Sequence, residues 1–392
     1  MEHRLYSGRM IMPPPKLSGL LQQLIALPSI SCTDPGIDQG NLGVIEQLAD
    51  WFDALGFATE IQLIDAERNK ANLIATIGSG NEGLVLAGHT DTVPYDANRW
   101  QFDPFKLTED SQRFYGLGTA DMKSFFALVI EAIRELDPGT LKQPLIILAT
   151  ADEETSMSGA KALTAKHLPN ARHAVIGEPT SLKPIRMHKG MMMESIQLTG
   201  LAGHSSNPDL GNSALEAMHR VISELLKWRD ELQQAYNNPL FNVPVPTMNL
   251  GHIHGGDNPN RICGHCELQI DIRPLPGMKL DELRYEIDQR LSRTLAGSGI
   301  SYQTQTLFDG IEAMETDATR PIVKAVEKLT ASDAEAAAYA TEAPYLNNIG
   351  IDTIVLGPGH IQQAHQPDEY LALEQINPMV AILKGLIREF CL

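Results

Sequence analysis

Residues 145–154 read LIILATADEE, a short apolar run that ends in two adjacent glutamates. A run of this length, rich in branched side chains, reads as a strand buried on both faces, the kind found in parallel sheets. Two like charges suit its end only where the chain leaves the core. The same arrangement recurs. LVLAGHTD (84–91) ends in His89 and Asp91, AVIGEP (174–179) in Glu178, and TIVLGPG (353–359) leads on to QQAHQPDEY (362–370), which carries His365. Amphipathic helical stretches alternate with these runs: LSGLLQQLIAL (17–27), NLGVIEQLADWFDALG (41–56) and SFFALVIEAIREL (124–136). The alternation specifies an α/β layer with a mostly parallel sheet.

Between positions 184 and 309 the pattern changes. MMMESIQLTG, a helix over about 212–236, strands at VPTMNLGHI and CELQIDIR, a helix at KLDELRYEIDQRLSRTL and a strand at ISYQTQTLF give the order βαββαβ, which is ferredoxin-like. The chain therefore reads as a discontinuous catalytic domain, 1–183 and 310–392, with an α+β domain of 184–309 inserted as lid and dimerisation domain. The first fifteen or so residues read as an extension before the first helix, with Met12 a candidate start.

A length of 392 residues with 43% hydrophobic composition suits two soluble domains. The net charge of −18 excludes a nucleic-acid or anionic-membrane surface and favours small molecules or metal ions as partners. The opening stretch lacks the apolar core of a secretory signal, and the four cysteines are too few and scattered for a disulfide framework, so the expected location is cytoplasmic. CGHC at 263–266 has dithiol spacing but runs into an alternating strand rather than a helix, so it reads as structural cysteine.

In open α/β sheets, sites form beyond the carboxyl ends of the strands. His89, Glu154, Glu178 and His365 all fall there, and Asp121, in the glycine-rich YGLGTADMKS before a helix, completes a set of two imidazoles and three carboxylates. This mixture suits two divalent ions, zinc first, with cobalt or manganese as alternatives. Three carboxylates and one hydroxide balance two such ions, whereas one ion would leave negative charge uncompensated. Asp121 as the bridge would give each ion a His and a Glu of its own. Neighbouring side chains leave the backbone in different directions, so Glu154 can bind metal while Glu153 serves as general base. Asp91, two residues after His89, is placed to accept the other ring N–H of that imidazole. Glu342, an acidic loop residue near the His365 segment in sequence, is a candidate partner for a substrate ammonium group.

At GHTDTVP, YGLGTADMK, DEE, GEPTS, GHSS, DIRPLPG and GPG…AHQPDEY, positions 88–370, the chain resembles the co-catalytic zinc aminoacylase and carboxypeptidase superfamily of amide hydrolases. ATADEETSMSGA, IGEPTSLKPIRMHKG and LGHIHGGDNPNRIC are similar to the branch that removes acetyl groups from an N-acetylated diamino acid. The resemblance implies that His89 and Glu178 hold one zinc, Glu154 and His365 the other, and Asp121 both, with Glu153 as base and a cis peptide at Asp121–Met122. It further implies that Arg273 binds a substrate carboxylate, that His204 and Asn260 reach a neighbouring subunit's site, with His204 donating to the oxyanion, and that the enzyme is a homodimer.

Overall fold

A computed structural model describes residues 13–392. By internal contacts the chain divides into two compact units: residues up to 186 with 316–334 and 345–392, and residues 187–315 with 335–344. The segment 335–344, expected in the catalytic domain, groups with the second unit.

In the first unit, the strands Leu145–Thr150, Gly83–His89, Ala171–Ile176 and Asp352–Val355 lie side by side in that order, all parallel. The first two are buried along their whole length, as the unbroken apolar runs require. A hairpin of Ala58–Asp65 and Lys70–Ile77 extends the sheet antiparallel beyond Leu145–Thr150, so the sheet is parallel at its centre and mixed overall. The helix Lys123–Ile133 is buried on nearly every side, with Phe125 and Phe126 fully inside the core. It is apolar all round because it packs between the helices Leu17–Ile25 and Ile376–Phe390 and the strand Gly83–His89. Parallel pairing brings the carboxyl ends of the central strands to one edge. His89 ends its strand, Glu153 and Glu154 follow Thr150, and Glu178 follows Ile176.

The second unit holds a sheet ordered Thr247–Gly255, His265–Arg273, Met191–Thr199, Ser301–Ile311, every pair antiparallel. In the chain the helix Ala214–Ala235 links Met191–Thr199 to Thr247–Gly255, and Leu280–Leu295 links His265–Arg273 to Ser301–Ile311, which is the ferredoxin-like βαββαβ arrangement. Ser213 caps the first helix by accepting from the Glu216 amide. His265–Arg273 alternates buried and less buried positions, as a strand with one face on a core must. Cys263 and Cys266 are free, buried thiols in that core. Burial, then the neighbouring Cys263, pushes the Cys266 thiol up, the reverse of a reactive thiolate.

His188 is also fully buried in the second unit, and its Nδ1–H donates to the Lys189 carbonyl at 2.9 Å. Its Nε2 has no hydrogen-bond partner among the described residues. Burial outweighs the backbone contacts and lowers its pKa to about 4, from an ordinary 6.5. Between those values the unfolded chain binds the proton preferentially, so stability is lost as pH falls from about 6.5 towards about 4, by roughly 3 kcal/mol. Thermal unfolding of metal-free protein across this window should show a steep slope that His188→Gln flattens. Equal slopes in the two proteins would contradict the assignment.

Candidate metal centre

His89 occupies the last position of its strand, where the chain must leave the sheet, and is almost wholly buried. Its Nδ1 lies 3.0 Å from the Asp91 carbonyl oxygen and 3.5 Å from the Asp91 carboxylate. A carbonyl can only accept, so Nδ1 carries the proton and Nε2 faces the other way. There Nε2 is 3.0 Å from Asp121 Oδ1 and 3.9 Å from Glu178 Oε1. The Asp91 carboxylate does more than its spacing suggested: besides facing the His89 ring, it accepts the backbone N–H of Glu153 at 3.2 Å and of Glu154 at 3.1 Å. Asp91 thus orients His89 through both its carbonyl and its carboxylate, and the glutamate pair through its carboxylate.

The turn that carries the pair is held from the other side as well. Asp152 sits at φ +59°, a conformation that non-glycine residues seldom adopt. Its carboxylate receives the buried Lys70 ammonium at 2.7 Å, Ser31 Oγ at 3.0 Å and Ser158 Oγ at 2.9 Å. The backbone is thereby fixed on both sides of Glu153. His365 also lies at positive φ, in the loop after the strand Asp352–Val355. Its Nε2 is 3.0 Å from Glu154 Oε2 and 3.5 Å from Asp121 Oδ2. The peptide Asp121–Met122 is cis.

Asp121 is therefore central: one of its oxygens faces His89 and the other faces His365. His89, Asp121 and Glu154 place one ligand-type atom each within 4.8 Å of one another. Burial opposes charge on these groups, yet the imidazoles counter it. Hydrogen bonds from His365 and His89 hold Asp121 below the usual carboxylate range. Burial and the charge of Asp121 raise Glu154. The hydrogen bonds of Asp121 and then Glu154 push His365 up to about 10. In His89, burial pulls the pKa down, but Asp121, Asp91 and the charge of Glu178 carry it well above its ordinary value. Both rings are thus drawn to hold a proton between carboxylates. A donor set that is buried apart from His365 and attracts positive charge to this degree fits divalent metal ions, which would replace those protons.

The remaining expected site residues lie in the second unit. His204 is exposed, and its Nδ1 accepts from the Ser206 amide at 3.2 Å and sits 2.7 Å from Ser206 Oγ, which assigns the ring proton of the neutral form to Nε2. The Asn260 carbonyl accepts from the Ser205 amide at 3.1 Å, tying this residue to the His204 loop. Arg273 closes its strand with Nε 3.0 Å from Asp271 Oδ2. Glu342 is buried just before the helix Ala343–Asn348. Asp152 and Lys70 went unread in the sequence. Asp152 lies inside the DEE motif and could have been weighed, whereas Lys70, 82 positions away from it, carries no local signal.

Residues 85–389 match the model of peptidase family M20/M25/M40. The chain belongs to that family. It is an enzyme, a metal-dependent hydrolase. Acetylornithine deacetylase of Edwardsiella ictaluri is 51% identical to it over 96% of this chain and 98% of the relative. The protein of the same name from Pasteurella multocida is 50% identical over the same shares. Among solved structures, aminopeptidase PepT from Bacillus cereus superposes with a TM-score of 0.74 at 19% identity, covering 96% of this chain and 98% of that one. The YxeP protein of Bacillus subtilis, described as a dinuclear metal-binding peptidase, gives 0.67 at 15% identity, with 95% and 98% covered. At such identities these two structures speak for the fold alone.

Proposed function

We propose that this enzyme removes the acetyl group from N2-acetyl-L-ornithine, giving L-ornithine and acetate, as a cytoplasmic step of arginine biosynthesis. The observation that carries the chemistry is the Asp121 carboxylate, whose two oxygens divide between His89 and His365. The substrate follows from relatives that share about half of all positions over nearly the whole chain.

His89 and Glu178 would hold one divalent ion, His365 and Glu154 the other, and Asp121 both. Zinc suits the donors, and cobalt or manganese can replace it. Bound there, the ions would polarise the acetyl carbonyl and make water easier to deprotonate. Glu153 accepts the proton of the attacking water and returns it to the departing amine, so one carboxylate serves both half-steps. Its backbone, fixed through Asp91 and Asp152, keeps it from collapsing onto the cluster that its neighbour joins. His204 donates its Nε2–H to the developing oxyanion, a role supported by the Ser206 contacts to the opposite nitrogen. The Arg273 fork receives the substrate α-carboxylate, Asn260 binds substrate in the neighbouring subunit's site, and Glu342 pairs with the side-chain ammonium.

The working unit is a homodimer in which His204 serves the other subunit's centre. The ferredoxin-like sheet supports this reading, because Thr247–Gly255 and Ser301–Ile311 are edge strands and Ile253 on the first is half-exposed.

Metal-reconstituted protein should release acetate from N2-acetylornithine and leave N-succinyl-diaminopimelate largely intact. Preference for the succinyl compound would move the enzyme to a desuccinylase. Glu153→Gln should keep its metal content while losing about 10² to 10⁴-fold in turnover, and loss of a metal equivalent instead would make Glu153 a ligand. His204→Ala should lose roughly 10² to 10³-fold with metal retained. Mixing these two inactive variants under subunit exchange should restore activity, since one site in each mixed dimer then carries neither defect. No recovery after demonstrated exchange would confine His204 to its own subunit or remove it from catalysis.

A further inference from the structure

We propose that Glu369 is a positioning residue that sets the spacing between the two loops holding Asp121 and His365, and through it the affinity of the second ion. The proposal rests on the metal-binding reading of those residues. Glu369 is 1% exposed and belongs to no step of the mechanism above. Its carboxylate accepts the Gly118 amide at 3.1 Å on each oxygen, the Ala120 amide at 2.7 Å and the Asp121 amide at 2.9 Å. Its own carbonyl accepts the Gly116 amide at 3.0 Å and Thr119 Oγ1 at 3.3 Å. The loop 116–121 is therefore wrapped around this single residue, up to and including the amide of Asp121 itself.

His365 stands four positions before Glu369, and the chain between them is fastened too. Asp368, at φ +55°, accepts the Gln101 amide at 2.8 Å and the Phe102 amide at 3.2 Å. Beyond Glu369 the strand Tyr370–Ala372 pairs with Arg113–Tyr115, which leads directly into the Asp121 loop. Glu369 is thus the point at which the two ligand loops are registered against each other. Both side-chain oxygens accept amide donors, and a carboxamide would put an N–H₂ where one of those oxygens stands. Groups that orient metal ligands from behind typically govern affinity by about 10 to 100-fold.

A carboxylate needed only to hold the loop's fold would affect both ions alike, or neither. Calorimetric zinc titration of metal-free full-length protein, with a competing chelator, separates these cases. Wild type should bind two ions, and His365→Ala should mark the loss of the second. Glu369→Gln should bind the first ion as wild type does and the second about 10 to 100-fold more weakly, with circular dichroism unchanged. Glu369→Asp, a methylene shorter and unable to reach all the amides, should show the same selective loss and serves where the Gln variant fails to fold. Unchanged affinities in a folded variant, with or without a lowered metal-free unfolding temperature, or equal weakening of both ions, would overturn the inference. Fewer than two ions on wild type, or no effect of His365→Ala, would instead overturn the metal assignment beneath it.

Discussion

Three carboxylates gathered at one sheet edge need positive charge close by, and the architecture of the first unit follows from meeting that need. Asp121 and Glu178 are buried, and Glu154 is nearly so at its side chain. Isolated, each would be costly to keep ionised away from water. Two imidazoles lie among them, one ending a strand and one on a loop at positive φ. The apolar strands pack the sheet and so bring these groups together from distant parts of the sequence. The loops that follow the strands present them.

Loops that present like charges need backbone anchoring, and the protein repeatedly uses acidic side chains for it. Asp91 takes the amides of Glu153 and Glu154, Asp368 those of Gln101 and Phe102, and Glu369 those of Gly118, Ala120 and Asp121. A carboxylate that accepts several N–H bonds is well suited to pin a loop without secondary structure. The surplus of acidic residues that gives the chain its net charge therefore includes members that work inside the structure.

The central strands were legible because full burial on both faces writes itself as unbroken apolar runs, and the ferredoxin-like unit because its periods change cleanly from two to nearly four. The hairpin 58–77 was harder to read: Ala58–Asp65 is partly exposed and offers no clear alternation. The grouping of 335–344 with the second unit depends on long-range contacts that no local pattern announces. At the metal centre, residue types and their positions after strands marked the cluster. That the Asp91 carbonyl lies nearer His89 than the carboxylate does was not readable, because spacing places a residue near a partner without ranking its atoms. Lys70 and Asp152 pair across the fold and leave no trace in either segment alone.

The proposed function requires this carboxylate and imidazole cluster to bind two metal ions with Asp121 between them. Anomalous diffraction at the zinc edge from crystals of zinc-loaded protein tests it most directly. The account predicts two peaks about 3.5 to 4 Å apart, the separation typical of two-metal sites, one beside His89 and Glu178 and one beside His365 and Glu154, each in contact with one Asp121 oxygen. A single peak, or two peaks of which only one touches Asp121, would contradict it.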